Sequence, residues 1–152
     1  MVENAIFTTL CMVEDEKGNI LVQERTKGNW QEIAFPGGHV EPGESFVKSV
    51  IREIYEETGY TIENPCLCGI KQFPTHNKNR VRYVILMFKA NKFHGELQSS
   101  DEGRVFWIKY DELNQYHLAH DMTEMLAVFK DDSKSEFYYD RNVSGERHYE
   151  IF

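Results

Sequence analysis

Residues 45 to 59, SFVKSVIREIYEETG, constrain this chain more than any other stretch. Val47, Val50, Ile51 and Ile54 recur at helical spacing, and Gly59 stands where a left-handed C-terminal cap belongs, which predicts a helix over Ser45 to Thr58. At about 100° per residue, Glu53, Glu56 and Glu57 fall on one face, roughly a third of a turn from the centre of the apolar stripe. Such a helix packs one side on a sheet and turns three carboxylates towards one place. Like charges three and four apart destabilise a helix. A solvated acidic face is one explanation of the pattern. The other is a divalent cation, whose preference for hard oxygen ligands turns the repulsion into coordination.

The chain around this helix reads as strands and turns. Residues 4 to 13 (NAIFTTLCMV) predict a strand, Glu14 to Asn19 a turn, and Asn19 to Arg25 the returning strand of a hairpin. A short apolar piece, Ile33 to Phe35, runs into Pro36-Gly37-Gly38. Cys66 to Phe73, Arg80 to Ala90 and Gly103 to Ile108 predict further strands, with a polar connection over His76 to Asn79. Leu118 to Lys130 predicts a second helix with Met122, Met125, Leu126 and Phe129 on one face, and the tail from Phe137 to Phe152 predicts strand or ordered coil. The order suggests one α+β domain over residues 1 to 152, a mixed sheet with helices on both faces.

Bulk properties exclude several classes of partner. With 17 basic and 25 acidic residues the formal net charge is −8, which offers no general attraction for nucleic acid polymers or anionic lipid. No apolar run approaches the roughly 20 residues needed to span a membrane. The opening MVENAIFTTLCMVEDEKGN meets acidic residues too early for a signal peptide. Three cysteines, an odd number, fit a reduced compartment, so cytoplasm is the expected location. Cys66 and Cys68 form a C-x-C pair without the second pair that a zinc site needs.

Counting from Gly38, five residues lead to Glu44, and seven more lead to Arg52-Glu53-Ile54-Tyr55-Glu56-Glu57-Thr58-Gly59. This resembles the Nudix box, G-x5-E-x7-R-E-U-x-E-E-x-G-U, with all seven fixed positions in register and Tyr60 in place of the last aliphatic residue. A chance match at one start is on the order of 10⁻⁸ or lower at average residue usage. Outside the box, the run into Pro36-Gly37-Gly38 and the segment GRVFWIKYDEL (103 to 113) are also similar to the family.

The resemblance implies a Nudix-type α/β/α sandwich and a metal-dependent hydrolase of nucleoside diphosphates linked to another moiety. It implies Mg²⁺ as cofactor, with Mn²⁺ an alternative, and admits a homodimer. Glu56 and Glu57 correspond to the principal metal ligands, joined by the Gly38 carbonyl; Glu53 binds metal or takes the proton from attacking water, and Arg52 orients it. Glu44 either reaches a second metal through water or is structural. A further carboxylate comes from a later loop, where Glu102 is favoured over Glu96 and Asp101. Gly37, His39 and Arg25 are candidate substrate contacts, with Arg80 and Arg82 as rivals of Arg25. Trp30, Phe35, Phe73, Tyr83 and Trp107 either stack a base or fill the core, and His76 and Asn77 are candidate pocket residues. Among substrates, the compact chain favours a MutT-type nucleoside triphosphate, including 8-oxo-dGTP. Pro74 hints at ADP-ribose or a nucleotide sugar, and a catalytically inactive nucleotide sensor is the alternative of a different class.

Overall fold

The computed structural model describes residues 2–27, 30–75, 81–141 and 144–152. In chain order the elements are β1 (Ala5–Val13), β2 (Asn19–Lys27), β3 (Trp30–Ala34), α1 (Phe46–Thr58), β4 (Tyr60–Ile62), β5 (Cys66–Pro74), β6 (Arg82–Ala90), β7 (Phe93–Gly95), β8 (Arg104–Lys109), a 3-10 segment (Tyr110–Gln115), α2 (Met122–Lys130), β9 (Glu136–Arg141) and β10 (Arg147–Ile151). Among the described residues, β1-β6-β5-β9-β10 form a mixed five-stranded sheet, β3-β2-β8 an antiparallel three-stranded one, and β4-β7 a short pair.

Alternation along the central strands divides the interior into two cores. Cys11, Val13, Leu21, Leu86 and Phe88 point towards α1, where Val50 and Ile54 are fully buried. Met12, Ile20, Val22 and Met87 point the other way, against Met122, Met125, Val128 and Phe129 of α2. A period of two in strands that are covered on both faces demands apolar residues at successive positions, which is why CMV and ILV read as continuous runs. The helices therefore lie on opposite faces, giving the α/β/α sandwich.

Three expectations need correction. The first two strands do not form a hairpin. The turn is there, with the Asp15 carboxylate accepting from the backbone of Lys17 and Asn19, but one bridge, Glu14 to Ile20, is the extent of β1–β2 pairing. Beyond it β1 pairs in parallel with β6, and its other edge is taken by the strip 36–40: Thr9 N–H donates to Gly38 O at 2.8 Å, Cys11 N–H to Pro36 O at 3.0 Å, and Val40 N–H to Phe7 O at 2.9 Å. The second helix starts at Met122, because residues 117–119 pair with Ile33 instead and Asp121 adopts a left-handed φ of 69°. The stripe on α1 is narrower than its periodicity suggests: Val50 and Ile54 are buried, whereas Val47 is 44% exposed. The end of α1 is as expected, with Gly59 at φ 74°. The 76–79 connection lies outside the described residues.

Ile54→Ala is expected to cost about 2–5 kcal/mol in denaturant unfolding, from lost burial and the cavity left behind, whereas Val47→Ala should stay within about 0.5 kcal/mol of the parent.

Candidate active site

The site forms where the strip along β1 meets the inner face of α1. Gly37 lies so close to β1 that a Cβ there would come within 2.1 Å of the Thr9 carbonyl oxygen. A Cβ on Gly38 would lie 2.3 Å from a Glu53 carboxylate oxygen. Two residues without side chains thus let the backbone and the acidic helix meet. The contact is closed by Gly37 N–H, which donates to Glu57 Oε2 at 2.7 Å.

The glutamates on this helix are not equivalent. Glu57 is only 2% exposed, and its second oxygen, Oε1, has no hydrogen-bond partner among the described residues. Burial and the neighbouring Glu102 carboxylate, which accepts from the protonated form, push its carboxyl up to about 8. Glu53 is also raised, first by burial and then by Glu56 and Glu102, against the opposing pull of Arg52. Glu56 stands out in solvent, its side chain 55% exposed.

Arg52 keeps these charges apart. Its guanidinium donates to both oxygens of Glu44 at 2.9 Å, to Glu53 Oε1 at 2.8 Å, to Glu56 Oε2 at 3.1 Å and to the His39 carbonyl at 3.1 Å. Glu44 is held down at about 2 by that fork and by the Glu41 N–H. A single cation spread over three carboxylates offsets repulsion that α1 would otherwise carry. Among the described residues, no three acidic, imidazole or thiol side chains are drawn together as a ready-made cation cage. The donors still suit a hard divalent ion: an orphaned buried oxygen on Glu57, the adjoining Glu53 carboxylate, exposed Glu56, and the bare Gly38 backbone.

In front of these residues opens a cleft of about 720 Å³. Arg25, Gly37, Gly38, His39, Glu53, Glu56 and Glu102 all line it, although they come from four separate segments. Arg25 is steadied by Gln23 Oε1 at 2.7 Å and faces the Glu57 charge. His39 Nε2 and Tyr83 Oη lie 3.1 Å apart on the rim. Other candidates are elsewhere. Glu96 approaches Gly59, beyond the far end of α1, Asp101 does not reach the cleft lining, and Arg82 turns to Glu3 and Gln72. Trp107 packs with Tyr60 and Phe93, while Phe35 and Tyr83 do reach the cleft and Phe73 stacks behind Tyr83. His76, Asn77, Arg80 and the Trp30 side chain lie outside the described residues.

Sequence reasoning missed the far end of the cleft. Lys71, Ala119, His120, Met122 and Met125 line it, and the Lys71 ammonium pairs with the Asp121 carboxylate at 2.8 Å, both almost wholly buried. Burial and the neighbouring Arg147 push Lys71 down to about 8. The signal available was a lysine, the one charged residue in the strand CLCGIKQFP.

Comparison with known proteins agrees with this geometry. The family model described as NUDIX domain matches residues 6–129. An uncharacterised Nudix hydrolase of Bacillus subtilis, YvcI, is 32% identical over 114 residues, which span 73% of this chain and 70% of that protein. A CTP pyrophosphohydrolase of Escherichia coli is 30% identical over 123 residues, 76% of this chain and 84% of the other. Among solved structures, a MutT protein from Bacillus halodurans superposes with a TM-score of 0.78 at 28% identity, covering 96% of this chain and 97% of its own. Sandwich, box and relatives together define a hydrolase of phosphoric anhydride bonds. The chain belongs to the Nudix family, whose hydrolases generally require divalent metal ions and act on small nucleotide substrates. No helix among the described residues is long and apolar enough to cross a membrane.

The raised Glu57 carboxyl carries a pH dependence. Between about 4.5, its value in the unfolded chain, and about 8, the folded protein holds a proton that the unfolded chain has lost. Metal-free stability therefore falls as pH rises through this window. The melting temperature of metal-free protein should carry this decline between about pH 5 and pH 8, and the upward shift on adding Mg²⁺ should grow over the same range. Glu57→Gln should flatten both trends.

Proposed function

We propose that this protein is a Mg²⁺-dependent nucleoside triphosphate pyrophosphohydrolase, with Mn²⁺ able to substitute, releasing nucleoside monophosphate and pyrophosphate. The observation that carries the reading is that one cleft runs from the carboxylate cluster to an apolar end lined by Met122 and Met125. That is the order of chemistry in a nucleotide, phosphates at one end and an aromatic base at the other. Glu56, Glu57 and the Gly38 carbonyl hold the cation, and Glu44 steadies Arg52 at its flank. When bound, the cation neutralises the pyrophosphate and lowers the pKa of water.

Glu53 and Glu102 are the residues placed to take the proton of the attacking water. Both line the cleft beside Glu57, and Glu53 already stands above its ordinary pKa, as a base working near neutrality requires. Arg52 aims Glu53 through the 2.8 Å bond. Attack forms a new P–O bond, the anhydride P–O bond breaks, and Arg25 faces the charge that develops on the leaving phosphates. A relative named as a CTP pyrophosphohydrolase favours the triphosphate class. Pro74, the hint of ADP-ribose chemistry, ends β5 outside the cleft lining. The intact set of Arg52, Glu53, Glu56 and Glu57 argues against a purely sensing role.

A substrate panel with Mg²⁺ or Mn²⁺ tests the reading: canonical triphosphates, 8-oxo-dGTP, ADP-ribose and nucleotide sugars, with ¹⁸O-water locating the attacked phosphorus. Turnover of triphosphates to monophosphate and pyrophosphate is expected; exclusive turnover of ADP-ribose would replace it. Glu57→Gln keeps an oxygen for the Gly37 N–H and so stays folded, but should lower kcat by at least about 10²-fold.

A further inference from the structure

The end of the cleft away from the carboxylates is built around a lysine that the box does not explain. Lys71 pairs with Ile85 on β6 and with Phe137 on β9, and Ile85 pairs in turn with Thr8 on β1, the residue bridged to His39. These residues form one row across the sheet, starting at the Gly38–His39 strip. Two strand spacings separate Thr8 from Lys71, roughly 10 Å. That span matches the reach of a nucleoside from its phosphate-bearing oxygen to the far edge of its base.

The charge balance at this end is unusual. The Asp121 carboxylate is contacted by Lys71 and also by Arg147, and among the described residues Glu124 is the one further carboxylate that acts on Lys71. Arg147 alone would neutralise Asp121, and burying a second cation for structure alone is costly. The Lys71 side chain is 8% exposed, and Asp121 is its one polar partner among the described residues. The faces of Phe73, Phe137 and Tyr139 stand 5.7–5.8 Å from its nitrogen. An ammonium has three donors and no acceptor, so donor capacity remains in a pocket where Leu10, Ile85, Met122 and Met125 supply apolar wall and His120 stands at the same end.

We infer that Lys71 is the specificity-determining residue for the base: its ammonium donates to a ring carbonyl oxygen on the inward edge of the substrate, selecting guanine, hypoxanthine or uracil over adenine or cytosine. This rests on the triphosphate reading above. An amino group facing Lys71 would set donor against donor and leave both unpaired where water cannot compensate. A carbonyl accepts, as guanine O6 accepts from lysine in other recognition settings.

The test measures kcat/KM for GTP, ITP, UTP, ATP and CTP with Mg²⁺, and the affinities of the non-hydrolysable α,β-methylene analogues of GTP and ATP. The wild type should prefer oxo bases by about 10- to 100-fold. Lys71→Met should collapse that ratio by raising KM for the oxo substrates while leaving kcat little changed, and Asp121, still held by Arg147, should preserve the fold, as melting would show. Lys71→Gln, whose amide also accepts, should move selectivity towards ATP and CTP. Turnover without an oxo preference, or the same preference in both variants, would overturn the assignment and leave the triphosphate reading standing. If no triphosphate turns over but the GTP analogue binds better than the ATP analogue through Lys71, the assignment stands and the proposed reaction falls. Equal binding, or none, overturns it.

Discussion

A buried hydrogen bond from the Gly37 amide to the Glu57 carboxylate at 2.7 Å, backed at the surface by Arg52 donating to the His39 carbonyl, joins the two halves of this site. It pins the strip 36–40 to α1 on one side while β1 holds the same strip on the other. Because the strip occupies that edge of β1, β2 is turned away into a second sheet with β3 and β8. That second sheet carries Arg25 to the cleft, and the turn leading into its strand β8 carries Glu102 there. The fold's division into two sheets and the convergence of the site are thus one event. Gly37 and Gly38 permit it by leaving no Cβ in the path of β1 or of Glu53.

Around this contact the electrostatics are deliberately unresolved. Burial and the neighbouring Glu102 raise the Glu57 carboxyl, and one oxygen of Glu57 has no hydrogen-bond partner among the described residues. Buried polar groups are otherwise nearly always paired, and a fold with a few kcal/mol to spare tolerates such an exception where function repays it. Arg52 relieves the rest by tying Glu44, Glu53 and Glu56 to one guanidinium. At the opposite end of the cleft two cations, Lys71 and Arg147, close on the buried Asp121. The cleft therefore runs from the carboxylate cluster to a methionine-lined end at which one buried lysine supplies the polar group.

Much of this was legible residue by residue. The helical period of Val50 and Ile54, the cap at Gly59 and the register of Arg52, Glu53, Glu56 and Glu57 all depend on neighbours within a turn or two, so local chemistry suffices to read them. The choice of Glu102 over Glu96 rested on its place before a tryptophan strand, and the structure does set Glu102 beside Glu57. The hairpin was misread because a good turn at Asp15–Asn19 says nothing about which strand wins the free edge of β1. The second helix was drawn too long because the pairing of residues 117–119 with Ile33 is a contact across more than 80 positions.

By itself, then, the sequence determined the acidic helix, its apolar anchor, the glycines before it and the reaction class these imply, since each is a matter of spacing along one segment. Only the tertiary structure decided that Glu57 turns inward while Glu56 faces solvent, that Arg25 and Glu102 arrive at the same hollow, and that Lys71 and Asp121 close its far end. Those outcomes depend on which strands share edges and on how much water each charge keeps. Both are set by packing between segments distant in the chain, which no local pattern encodes.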